Sequence, residues 1–276
     1  MSIRTRIIKS KLFEIASLVA IVLNSLFLFH IIITITWNGI SVLSIDFLTQ
    51  LPLPPGESGG GIAPAIEGTF LLVFLTLLIS FPIGFLAGIY LAEYGKGSLA
   101  ETIRNLTNVL SGVPSIVAGI FGYTVIVIHF DFSAIAGAVA LSILAIPYIV
   151  RTTEEALKSI PDDIREAGLA LGIPKWKVTL YLIVGAAKHR IIAGVLLAMA
   201  RIIGEAAPLL FTAFGNQSYA KSIFEPTDAL PLLIFNYALS PYPDWHTKAW
   251  GAALILILIA LSINLSVKYY LHQKII

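Results

Sequence analysis

Six apolar runs, at about residues 12–36, 68–92, 106–128, 134–150, 191–210 and 249–267, dominate the chain. About 20 helical residues rise roughly 30 Å, the thickness of a bilayer's hydrocarbon core, so runs of this length are read as membrane-crossing helices. Only 12% of the 276 residues are charged, about half the roughly 25% usual in soluble domains. The expectation is an all-α polytopic membrane protein with six transmembrane helices. It forms a single domain over 1–276, because the segments between runs are too short to fold around a soluble core. The first run follows four basic residues but is too long for the apolar core of a signal peptide, and no small-residue cleavage pattern closes it. It is read as a retained helix.

Charge gives the orientation. Fifteen of the 18 basic residues fall in the amino-terminal tail, the loop after the second run, the long loop after the fourth run and the carboxyl tail. Lys221 and Lys248 fall on the other side, and Arg201 lies inside a run. Basic residues accumulate in short cytoplasmic loops, so both termini are placed in the cytoplasm of a multi-pass cell-membrane protein. Trp37, Trp245 and Trp250 fall near outer ends of runs, where amphipathic rings prefer the headgroup region. A net charge of +2 gives no sign of nucleic acid. The chain has no cysteine, which removes disulfides, thiolate metal sites and cysteine nucleophiles. Its five histidines are scattered, and Gly95-Lys96-Gly97 lacks the spacing of a phosphate-cradling loop. No metal, no cofactor and no enzyme activity are expected, and any ATP hydrolysis belongs to a separate subunit.

Two segments carry candidate chemistry. Between 161 and 172, Ile164, Ala167, Gly168 and Leu171 recur at i, i+3, i+4 and i+7, with Asp162, Asp163, Arg165 and Glu166 off that face. Pro161 and two acids suit the start of a short helix, and Gly172 followed by Pro174 suits its end. Such a helix either rests on the membrane surface or docks against another protein. Its polar face is poor in lysine and its stripe contains small residues, which favours docking.

The second segment holds two charges within the fifth run. Counted from Arg190, Arg201 lies about 16 Å deep, with Glu205 one turn further. A guanidinium offers a planar fork of donors to two oxygens of a tetrahedral oxyanion, while a carboxylate accepts from a protonated oxygen and repels a bare one. The pair therefore suits a protonated oxyanion; the competing reading is an i, i+4 ion pair that neutralises itself. Gly84 and Gly88 allow close helix packing within the bundle. The apolar stretch 228–239 is too short to span, and is either a re-entrant or interfacial segment or packed loop.

Glu166-Ala167-Gly168, with Gly172 six residues after the glutamate, resembles the EAA loop of ABC-importer permeases. Gly168 replaces the second alanine, and Gly185 stands where Leu-Pro usually closes the motif. Residues 198–213, including Arg201-Ile202-Ile203-Gly204-Glu205-Ala206-Ala207-Pro208, and the stretch Leu110-Ser111-Gly112-Val113-Pro114-Ser115 are similar to the permeases of phosphate importers. Pro54-Pro55-Gly56-Glu57-Ser58-Gly59-Gly60-Gly61-Ile62 resembles the PstA type of that pair rather than the PstC type.

The resemblance implies a type I ABC-importer permease (MetI-like) fold. Residues 68–270 would form the permease core, 1–67 an additional helix and outer loop, and 161–172 a cytoplasmic coupling helix. It implies the transmembrane subunit of an ATP-driven phosphate importer in the lipid bilayer. The implied partners are a PstC-like permease subunit, an ATPase subunit dimer and an extracytoplasmic phosphate-binding protein. Ile164, Glu166, Ala167, Gly168, Leu171 and Gly172 would couple to the ATPase, and Arg201 and Glu205 would line the path of phosphate. A permease for sulfate, molybdate or tungstate, and an ion-coupled secondary phosphate carrier, are the alternatives.

Overall fold

A computed structural model describes residues 3–57 and 59–272; Ser58 of the outer-loop motif and Lys274 of the basic tally lie outside them. The first helices in chain order are α1 (Ile3–Gly39), α2 (Ile45–Thr49), α3 (Ala63–Tyr94), α4 (Ser98–Ser111) and α5 (Ser115–Phe130). They are followed by α6 (Ala134–Lys158), α7 (Asp162–Ala170), α8 (Lys175–Ile202), α9 (Ala207–Leu210), α10 (Leu230–Ala238) and α11 (Pro243–His272). α1, α3, α6, α8 and α11 are each long and apolar enough to cross a membrane.

The third apolar run departs from expectation. Instead of one helix over 106–128, α4 and α5 meet at a bend of 102°. Pro114 disfavours helical backbone at Val113 and brings no amide of its own, and α4 closes at Gly112, whose amide donates to the Val109 carbonyl at 3.0 Å. α4 has Glu101 and Asn105 on its surface together with exposed Leu99, Leu106 and Val109, the makeup of a helix lying in an interface.

α5 nonetheless has to recross. Gly137 packs on Leu72, the Ser142 hydroxyl donates to the Thr76 carbonyl at 3.3 Å, and Gly84 and Gly88 pack on Ile149 and Thr153. In each pair the α6 partner lies 65 or 66 positions after its α3 partner, so the two helices run parallel. The chain between them must return to its starting side. The 16 residues of α5 rise about 24 Å, short for a span but the length available. With α5 counted, the described helices offer up to six crossings. A β-carbon at Gly84 would stand 2.8 Å from Ile149, and at Gly88 2.6 Å from Thr153. The G-x-x-x-G spacing therefore serves packing inside this bundle.

The fourth run continues beyond 150 to Lys158. The fifth is displaced: its helix covers Lys175–Ile202, through Gly185 without a break, rather than 191–210. Gly204 and the proline at 208 end it, and the remainder forms the single turn of α9. On the side opposite the amino terminus, the 228–239 stretch contains α10, a nine-residue helix. Its Leu230, Leu233 and Tyr237 are buried with Phe47, Ile62 and Ala252, and the Leu230 amide donates to Thr69 Oγ1 of α3 at 2.8 Å. Trp37 is 79% exposed, as a headgroup-level ring would be. Trp245 instead stacks on Tyr237 at 4.4 Å between ring centres.

Candidate transport site and coupling surface

Depth is set by the antiparallel packing of α6 and α8. Near one end Arg190 donates to the Ser159 hydroxyl, further along Gly194 packs on Thr152, and then the Arg201 guanidinium lies over the Tyr148 ring, 4.6 Å from its centre. Eleven residues separate the first and last contacts on both helices, a rise of about 16 Å. Tyr148 is in turn about 21 Å along α6 from Ala134. Arg201 therefore sits at mid-depth. A guanidinium held over an aromatic face keeps its charge and its donor edge, and such contacts contribute about 0.5–2 kcal/mol. Arg201 is exposed on this chain, so the fork points away from the bundle's own core.

Glu205 is placed differently from the sequence expectation. Because α8 ends at Ile202, Glu205 lies in the following turn, half-buried, with its amide donating to the Ile202 carbonyl at 3.1 Å. The regular i, i+4 stacking is not realised, and among the described residues Arg201 and Glu205 form no ion pair. The structure thus separates the two charges instead of letting them cancel.

The other candidate surface is α7. Gly168 is buried, and a β-carbon there would stand 2.8 Å from Leu182 and 3.0 Å from Val178 of α8. Gly168 seats the helix on the bundle, which gives a physical reason for glycine where the EAA pattern has alanine. Ile164 is 38% and Leu171 79% exposed, and Ala167 is exposed on the same side of the helix, while Glu166 is exposed on the opposite side. Gly172 takes φ +75°, a left-handed conformation that closes the helix, and its amide donates to Leu169 at 2.9 Å.

Arg165 and Glu93 are the pair that sequence reasoning passed over. Arg165 Nη2 and Nε donate to Glu93 Oε1 at 2.8 and 3.0 Å. The same guanidinium also donates to the carbonyls of Leu157 and Ile160 at 2.7 and 2.6 Å. The Glu93 side chain is only 5% exposed. Hydrogen bonding to Glu93 holds the Arg165 pKa above its ordinary value against the opposing cost of burial, and the charges of Glu93 and Asp162 add to the rise. Lys175 donates to the Glu93 carbonyl at 2.6 Å. The end of α3, the end of α6 and α7 are thereby tied at one point. Tyr148, the platform for Arg201, was passed over as well; its signal was an aromatic ring directly after a proline within an apolar run.

The family described as binding-protein-dependent transport system inner membrane component matches residues 84–275. The phosphate transport system permease protein PstA of Yersinia pestis is 40% identical over 268 residues, 96% of this chain and 91% of its own length. The protein of that name from Haemophilus influenzae is 43% identical over 260 residues, 94% and 92% of the two chains. The probable PstA of Methanocaldococcus jannaschii is 39% identical over 272 residues, 98% and 96%. Among solved structures, the MetNI methionine ABC transporter aligns with a TM-score of 0.61 at 19% identity, covering 77% of this chain and 94% of that one. A bacterial alginate ABC transporter aligns at 0.67 and 15% identity, covering 97% and 96%. At such identities these structures speak for the fold, which agrees with the MetI-like architecture expected. The matched relatives are named as transport permeases rather than enzymes. With that fold, a matching domain over most of its length and relatives near 40% identity almost end to end, this chain belongs to the PstA family of phosphate transport system permease proteins.

Proposed function

We propose that the chain is the membrane-spanning subunit of an ATP-driven phosphate importer. In this reading it works with a PstC-type permease, a pair of ATPase subunits and an extracytoplasmic phosphate-binding protein. The observation that carries the reading, beside family membership, is Arg201: a guanidinium at mid-depth, on an exposed face, supported by Tyr148. Charge at that depth is costly and marks a substrate path in membrane proteins. At neutral pH phosphate retains a proton while sulfate does not, so Arg201 supplies donors to the oxyanion and Glu205 accepts from its hydroxyl. Ile164, Glu166, Ala167 and Leu171 meet the ATPase, and the termini lie with it in the cytoplasm, the side on which 15 of 18 basic residues fall.

The test is ATP-dependent uptake of labelled phosphate in vesicles holding the assembled importer. Arg201→Met is expected to abolish uptake while the complex still assembles, because no donor then replaces the anion's lost hydration. Uptake at the parent rate in that variant overturns the site. A tenfold excess of sulfate is expected to leave uptake unchanged; competition by sulfate favours the broader oxyanion permease instead.

A further inference from the structure

On the side opposite the amino terminus, a cavity of about 530 Å³ lies between residues 41–50, the turn at Gly59 and Gly60, and the first turns of α11. Lys248 lines it. This residue is 6% exposed, and its ammonium has no hydrogen-bond partner among the described residues. One turn earlier, Asp244 lines the same cavity, and its Oδ2 is likewise buried and unpartnered among the described residues. Although the two stand at i and i+4, no ion pair joins them among the described residues. A buried ammonium and a buried carboxylate oxygen, each without a partner, are both costly. A bound group that accepts from one and donates to the other removes both costs.

The charge of the cavity narrows that group. Asp46 also lines it, so two carboxylates face one ammonium and the site is net negative. A free anion such as inorganic phosphate is repelled by that balance, and a metal ion would face the Lys248 ammonium. A zwitterion satisfies the whole set, with its anionic end on Lys248 and its cationic end on Asp244 and Asp46. The cationic end must carry N–H groups, because a quaternary ammonium has none to donate.

The rim identifies the source. Leu43, Ile45 and Leu48 are 37%, 81% and 39% exposed on the segment that walls the cavity, and Trp37 lies on α1 just before it. Apolar side chains and a tryptophan around a polar hollow are the profile of the headgroup layer. We propose that this cavity holds the headgroup of a phospholipid bearing a primary ammonium, the phosphoethanolamine class, with Lys248 on its phosphate and Asp244 and Asp46 on its ammonium.

The experiment uses the assembled importer purified in an equal mixture of phosphatidylethanolamine, phosphatidylcholine and phosphatidylglycerol of the same acyl chains, with retained lipid read by native mass spectrometry. Phosphatidylethanolamine should be retained over phosphatidylcholine by about tenfold, and the preference should disappear in Lys248→Met and in Asp244→Asn. Equal retention of the three lipids, or an unchanged preference in Lys248→Met, overturns the proposal. Preferential retention of phosphatidylglycerol would show a simple anion site and overturns it as well. Should Lys248→Met fail to assemble, Asp46→Asn at the exposed rim decides: a reduced preference supports the site, and an unchanged one sinks it.

Discussion

Arg201 is held by a ring rather than by a carboxylate, and the choice has consequences that can be measured. Arg201→Lys keeps the charge but loses the planar fork and most of the stacking on Tyr148, so phosphate uptake should fall by about tenfold or more with assembly intact. Near-parent uptake in that variant would mean that charge alone suffices. Arg165 and Glu93 make the opposite choice, a mostly buried and doubly bonded ion pair. Removing one partner of such a pair costs about 3–5 kcal/mol, while replacing both is far milder. Glu93→Gln should therefore lower the melting temperature of the complex. Glu93→Gln with Arg165→Gln should recover much of it while leaving ATP hydrolysis poorly coupled to uptake. Full coupling in the stable double variant would reduce the clamp to scaffolding. Asp228, on the side of α10, is pushed up to about 7 by burial, against the opposing bond from the Ala229 amide. Its folded pKa lies above the unfolded value, so the folded loop is favoured below about pH 4 and that advantage is lost as pH rises through about 7. Hydrogen exchange at the Leu230–Ala238 amides, corrected for intrinsic rates, should quicken between pH 5 and pH 8, and Asp228→Asn should flatten the trend.

α7 shows what a short element can be asked to do. A β-carbon at Gly172 meets nothing within 4 Å, so Gly172→Val acts through backbone strain alone, about 1–2 kcal/mol in the left-handed region. The variant should insert and assemble normally, yet stimulate ATP hydrolysis and phosphate uptake less; parent-level coupling would release α7 from its assigned role. This helix was legible in the sequence because 3.6-residue periodicity, an acidic first turn and a terminal glycine all agreed within 12 residues. The bend between α4 and α5 was legible only in part. The apolar face of α4 runs directly into the apolar α5, so hydropathy merges them, and only Gly112 and Pro114 marked the join. The end of α8 was misread for the same reason: residues 203–210 are apolar enough to continue a span, while Gly204 and Pro208 forbid a continuous helix. The clamp was out of reach, since nothing in the spacing of 72 residues between Glu93 and Arg165 announces that α3 and α7 meet.

Across the whole molecule, the orientation is open to a direct test because the chain has no native cysteine. Ser98→Cys at the start of α4 and Ser218→Cys in the loop before α10 are both at exposed positions. In intact cells an impermeant thiol reagent should label the second and spare the first, and the reverse pattern would invert the assignment of sides. The parallel pair α3 and α6 joins these two faces. At one end Thr69 accepts the Leu230 amide, and at the other Glu93 grips Arg165. The two points are about 36 Å apart along α3. The glycine contacts leave no slack between α3 and α6, so the pair behaves as a stiff lever rather than a spring. A tilt of about 10° imposed at the Arg165 end sweeps the Thr69 end through about 6 Å, on the scale of one helical turn. A modest rotation at the Arg165 end of the pair would thereby be geared into a displacement of about one helical turn at the Thr69 end.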